Sequence, residues 1–436
     1  MATRTEDVQV ARGPREPAIW RFLNALEVDT RLLGMVVALI LIWIGFDLFT
    51  GGAFLTPRNL FNLAVQTSVV GVMATGMVFI IVTRNIDLSV GSVLGFVGMI
   101  AAVVQAELLP PLLGHGHPAI WLIALFSALV VGATIGAAQG LIVAYGKVPA
   151  FIVTLGGLLI YRGAAWWVTS GRTVAPLDES FQVLGGGLSG SIGATWSWLV
   201  GLVAIGLIVM TSIAARRRRQ KFNFPVKPLW AELTVVGTGI ALVLAFVTVM
   251  NAYDLPVRVA REILEARGVE LAQGERPSIA RGIPVPVLIM LGVALVMTFI
   301  ATRMRFGRYV YAIGGNPEAA QLAGVPSQRM IVAVFALMGT LAAIAGCIAA
   351  ARLNAGANAT GQLAELSTIA AAVIGGTSLA GGAGTVAGAL LGALVMQSLS
   401  SGMVLLGLDT PLQNIVIGIV LIGAVYLDSI YQSRRR

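Results

Sequence analysis

The chain lacks almost every group that soluble enzymes use for chemistry. Its one cysteine, Cys347, lies in an apolar run, so no internal disulfide can form. Its two histidines, His115 and His117, sit two residues apart in a loop between apolar runs. There is no H-E-x-x-H and no cysteine pair at zinc spacing, which excludes the usual zinc sites. There is no G-x-x-x-x-G-K-[ST], so the chain has no ordinary cradle for ATP phosphates. No G-x-S-x-G nucleophile elbow occurs either. Charge is scarce too. Only 11% of the 436 residues are charged, against about 25% in an average soluble domain.

Apolar runs fill the space. The chain is 57% hydrophobic, with a mean hydropathy of +0.88. A helix needs about 20 apolar residues to cross a bilayer core of about 30 Å. Runs of that kind fall near 33–50, 61–82, 88–106, 119–144, 148–169, 192–214, 232–252, 283–302, 330–350, 366–382, 385–403 and 411–430. The expected fold is therefore an all-α polytopic membrane protein with about twelve spans. Glycines in 366–403 leave open a re-entrant or broken helix there. Residues 33–430 read as one transmembrane domain, between a polar segment 1–32 and a basic tail 431–436.

Charge sets the orientation. With both termini inside, 20 of the 29 basic residues fall on the cytoplasmic side, among them Arg84, Lys147, Arg216–Arg219 and Arg303. That is the positive-inside pattern. The net charge of +9 then needs no nucleic acid. An arginine-rich loop, 215–231, reads as a topology anchor touching anionic lipid. The first 32 residues show no cleaved signal peptide. An outer insertion, 253–282, contains a possible surface helix, Val257–Ala272, suited to the outer leaflet or to an extracytoplasmic partner.

The most informative loop is 303–329. Asn316 is an N-cap, Pro317 suits the first helical position, and Glu318 suits the positive end of the helix. Gly324 can close the helix in the left-handed region before Pro326. The result is a helix of about two turns, roughly 10 Å long, displayed on the cytoplasmic side as if for a soluble partner.

The residues GRYVYAIGGNPEAAQLAGV resemble the coupling-helix loop of permease subunits of bacterial sugar-importing ABC transporters, in the ribose/xylose branch. TRNIDLSVGS (Thr83–Ser92), VPAFIVTLGGLLIYRG (Val148–Gly163) and ELSTIAAAVIGGTSLAGGAGTVAGALLGA (Glu365–Ala393) resemble other parts of that branch. The apolar pair and arginine run between 192 and 282 resemble xylose-type permeases more than the shorter ribose type. The resemblance implies a second permease copy, a cytoplasmic ABC ATPase that holds the ATP, and an extracytoplasmic sugar-binding protein. No cofactor is expected on this chain. It also implies that Glu318, Ala319 and Ala320 enter a groove of the ATPase, with Gly314 and Gly315 supplying tight backbone before the helix.

Candidates for a sugar path are the polar residues within spans. They are Asn62 and Gln66 on one helix face, then Gln139, Gln397 and Asn414. Each also suits an interhelical hydrogen bond worth about 0.6 kcal/mol. Arg162 either snorkels to the outer interface or lines the path. Asp87 and Ser89 suit N-caps of the third span. Gly132, Gly136 and Gly140, and again Gly384, Gly388 and Gly392, form small-residue ladders for close helix packing or sliding. Ion-coupled secondary transport is the first rival. It usually needs intramembrane carboxylates or histidines, and the spans hold almost none. A membrane enzyme acting on lipid-linked substrates is the second rival, and no interfacial cluster of ionisable groups supports it.

Overall fold

The computed structural model describes residues 30–266, 268–269 and 276–433. The polar residues 1–29, part of the 253–282 insertion and Arg434–Arg436 lie outside the described residues. Apart from three isolated bridge pairs, the regular structure described is helical. The principal helices are α1 (Thr30–Phe49), α2 (Pro57–Val82), α3 (Val90–Val103), α4 (Ile120–Ala144), α5 (Ala150–Thr169), α6 (Gly193–Lys221), α7 (Leu229–Asn251) and α8 (Val257–Ala266). They continue with α9 (Val285–Arg303), α10 (Arg305–Gly315), α11 (Pro317–Leu322), α12 (Ser327–Leu353), α13 (Ala364–Ile374), α14 (Val386–Leu405) and α15 (Thr410–Ser433). Among the described residues, ten helical stretches are long and apolar enough to span a membrane, and Ala364–Ile374 and Thr410–Gly423 are shorter apolar stretches.

Local sequence sets the helix starts. Thr56 accepts a hydrogen bond from the Asn59 amide, with Pro57 in the first turn of α2. Thr385 does the same for α14 through the Gly388 amide, at 3.1 Å. The centre of the bundle is α2 and α12, whose apolar windows are 89% and 61% buried, whereas α6 reaches only 6%. Glycine makes the central contacts close. A Cβ on Gly136 would overlap the Phe335 carbonyl of α12, and one on Gly140 would stand 2.7 Å from Val332 Cα. This is the packing role of the first ladder. In the second ladder Gly388 and Gly392 serve α13–α14 packing, while Gly384 lies before the helix and faces Thr377.

The two halves repeat one pattern. In the first, α3 packs on α4 and α5; in the second, α13 packs on α14 and α15. Across the halves, α12 packs on α3 and α4, and α2 packs on α13 and α14. The end of α2 and the approach to α12 share one side of the bundle, because Arg84 bonds Gly314 and Gly315. The corresponding helices therefore run in opposite directions. Each half also carries a short helix after a non-helical dip, 83–89 before α3 and 354–363 before α13.

Several expected elements differ from this architecture. The run 366–382 is helical only to Ile374, and α13, at 11 residues, is about 16 Å long. Gly375–Gly384 cannot stay helical because Gly376, Gly381 and Gly382 take positive φ. The expected loop 215–231 is largely helix, since α6 carries Arg216–Lys221 on its last turns. In 303–329 there are two helices, not one. The expected helix Val257–Ala272 is described as α8 to Ala266, and its remainder falls mostly outside the described residues. The insertion folds back onto the bundle, with Arg281 stacked over Phe61 and Tyr253 at 5.4 and 4.7 Å.

Candidate functional site

The helix after Asn316 has the expected construction. Asn316 accepts from the Ala319 amide at 3.0 Å, Pro317 opens α11, and Gly324 follows its end at φ +78°. Glu318 and Ala319 are exposed. Ala320 is 5% exposed and faces the bundle, so it is not available to a partner groove; the inward face of a one-and-a-half-turn helix takes it. Leu322 takes its place as the outward apolar group, 90% exposed. Sequence reasoning missed it because one leucine in an apolar chain carries no signal.

Helix α10 was also missed. Its buried positions Gly307, Val310, Ile313 and Gly314 lie at helical spacing, which is the signal that identifies it. Gly314, the last residue but one of α10, stands where a Cβ would overlap the Val82 carbonyl and approach the Gly382 amide at 2.6 Å. Gly315 is exposed, with open space where its Cβ would be. The expected tight backbone is therefore at Gly314, and it faces the bundle.

Three segments meet at this point. Arg84 donates from Nε to the Gly314 carbonyl at 2.8 Å and from Nη2 to the Gly315 carbonyl at 3.0 Å. The Gly382 amide donates to the Val82 carbonyl at 3.0 Å. The Tyr311 hydroxyl donates to the Gly384 carbonyl at 2.8 Å, and burial pushes its pKa above the ordinary value. The display helix α11 is thus tied through α10 to both the 83–89 dip and the glycine-rich stretch after α13.

From that junction the 83–89 dip enters a buried polar network. Asp87 accepts from the Ser89 amide at 2.8 Å and from the Ser89 hydroxyl at 2.6 Å. Asp87 thus caps the dip, whereas Ser89, the residue before α3, makes no side-chain cap bond. Gln139 donates to the Ser89 hydroxyl at 2.9 Å. The Thr154 hydroxyl reaches the Ile86 carbonyl at 3.3 Å, fastening the dip to α5. Arg162, farther along α5, donates to the carbonyls of Asn358 and Thr360 at 3.1 and 3.0 Å. It does not snorkel; it ties α5 to the second dip. Glu365, 5% exposed, lies where a Cβ on Gly91 would overlap its carboxylate, and its Oε2 has no partner.

Of the six path candidates, Gln139 and Arg162 come together around the first turns of α3. Asn62 and Asn414 are exposed, and Gln66 and Gln397 are half-buried; Asn62 and Gln66 share α2, Gln397 is on α14 and Asn414 on α15. Asp87 and Glu365 correct the expectation that buried carboxylates are almost absent. Each stands one residue before an apolar run, and the chain dips there, so hydropathy placed them in loops between spans.

Comparison with known proteins gives one consistent picture. A family model described as "Branched-chain amino acid transport system / permease component" matches residues 59–425. The chain is 38% identical over 418 residues to the xylose transport system permease protein XylH of Escherichia coli strain K12, covering 96% of each chain. It is 38% identical to XylH of Haemophilus influenzae, covering 92% of this chain and 97% of the other. It is 33% identical over 376 residues to the ribose import permease protein RbsC of E. coli K12, covering 86% and 87%. No solved structure matches. The chain itself is a multi-pass membrane transport subunit and not an enzyme.

Proposed function

Because the chain belongs to the family of branched-chain amino acid transport system permease components, we propose that it is the membrane-spanning subunit of an ATP-driven importer of a pentose, D-xylose first. A separate ABC ATPase holds and hydrolyses the ATP, an extracytoplasmic binding protein delivers the sugar, and a second copy of this chain completes the pathway in the bacterial inner membrane. Residues 33–430 form the permease domain, with both termini cytoplasmic. The observation that supports the reading best is the capped, exposed α11 in a chain matching xylose permeases over 96% of its length. Glu318, Ala319 and Leu322 meet the ATPase, and Ala320 holds α11 to the bundle. Asn62, Gln66, Gln139, Arg162, Gln397 and Asn414 are the path candidates. Gln139 and Arg162 contribute by fixing the two dips beside α5.

The test is co-purification of the tagged chain from solubilised native membranes, followed by labelled-xylose uptake in proteoliposomes. The expected result is a Walker-motif ATPase that co-purifies and is lost with Leu322→Asp, and uptake that needs ATP and the binding protein. The buried carboxylates Asp87 and Glu365 favour one other reading, ion-coupled transport. Uptake by the chain alone, without ATP and abolished by an ionophore, would establish that reading and overturn ours.

A further inference from the structure

The α6–α7 hairpin is little buried, and it holds a cavity of about 380 Å³. Four of its buried positions, Ser197, Gly201, Val247 and Met250, lie at the end away from α11, where α7 packs on Phe61 and Val65 of α2, and Ala231 is buried at the other end. Toward the α11 side the cavity lies between the two helices. Ile208, Val235 and Val236 form an apolar wall there, with Arg216, Arg219 and Lys227 above it. Arg216 is ion-paired with Glu232, whose other oxygen accepts from Ser212 at 2.9 Å. One carboxylate therefore stands against three cations in the cavity. A neighbouring cavity shares Arg219 and adds Arg218, Phe222 and Phe224. A cation keeps its charge while it donates a hydrogen bond within the chain, so the excess positive field persists.

We propose that this groove, together with the neighbouring cavity, is a binding site for an anionic phospholipid, its phosphate headgroup at Arg218, Arg219 and Lys227 and an acyl chain along Ile208, Val235 and Val236. Charge and hydropathy change across these adjoining cavities in the same order as they do along a lipid. Trp230, Phe222 and Phe224 are exposed beside it, as side chains at the headgroup level are. A free anion would have no use for the apolar wall. Glu232 orients Arg216 and lowers the positive charge of the site. The site is independent of the transport reading, since it requires only that the hairpin span the membrane.

The test uses the full chain in bilayers of equal phosphatidylglycerol and phosphatidylcholine, with retained lipid counted by native mass spectrometry. The wild-type chain is expected to keep phosphatidylglycerol over phosphatidylcholine by about 30-fold, as two interfacial cations in excess of Glu232 allow. The Arg218→Ala/Arg219→Ala/Lys227→Ala variant should lose the preference, and Glu232→Gln should increase it. Val236→Phe fills the groove with every charge intact and should expel the lipid. These last two variants decide the matter if the triple variant fails to fold. Equal retention of both lipids, or indifference to Glu232→Gln and Val236→Phe, would overturn the proposal. Displacement of the lipid by millimolar inorganic phosphate would make it a free-anion site and overturn it too.

Discussion

Arg84 holds its backbone in the left-handed region, at φ +63°, where a residue with a Cβ is strained. Its side chain offsets that strain with bonds to two successive carbonyls, Gly314 and Gly315. Charged donors make hydrogen bonds worth about 1.5–3 kcal/mol. The fork geometry also matters, because lysine cannot bridge two carbonyls with fixed angles. Arg84→Ala should leave the chain folded and the ATPase attached, since α11 keeps its own cap. It should lower xylose taken up per ATP hydrolysed by about tenfold, the factor that 1.4 kcal/mol represents. Arg84→Lys should recover only part of this. Measuring uptake and hydrolysis in the same proteoliposomes separates the two effects. An unchanged ratio in Arg84→Ala would mean that the junction plays no part in transmission.

At the scale of elements, the closest approach to test is α4 on α12. Gly136→Val places branched carbon against the Phe335 carbonyl, and backbone cannot move aside as a flexible side chain can. Overpacking typically costs about 1–3 kcal/mol, so a clear fall in melting temperature in detergent is expected. Gly206→Ala on α6 meets nothing within 4 Å and should leave melting unchanged; equal falls in both would argue against the packing account. The same contrast explains which elements were legible. Runs such as 61–82 and 119–144 are apolar and free of charge along their length, and hydropathy reads them well. The caps of α11 were legible because Asn316, Pro317 and Gly324 each impose local geometry. Helix α10 was hidden because glycine and arginine interrupt RFGRYVYAIGG, and its apolar face shows only at helical spacing. The dips 83–89 and 354–363 are polar and short, so they read as surface loops. Their partners, Gln139 and Thr154 for the first dip and Arg162 for the second, are distant in sequence, which no local pattern encodes.

For the whole molecule, the repeated halves make orientation a single question. The end of α2, the α10–α11 element and the start of α12 share one side. The α6 arginines share it as well, because the Ile192 amide bonds the Ile283 carbonyl, which places the start of α6 beside the start of α9 on the far side. The basic groups thus crowd one face, which the positive-inside rule assigns to the cytoplasm. The chain is convenient for a direct test, because Cys347 is 1% exposed inside α12. Its thiol is thus shielded from a membrane-impermeant maleimide, and single introduced cysteines report alone. Leu322 is 90% exposed and Leu188, in the segment before α6, is 55% exposed. Leu322→Cys should label only in inside-out vesicles, and Leu188→Cys only in intact spheroplasts. Labelling of both from one side would refute the arrangement of helices. Labelling with the sides exchanged would keep the fold, turn α11 away from any cytoplasmic ATPase, and remove the basis for an ATP-driven importer.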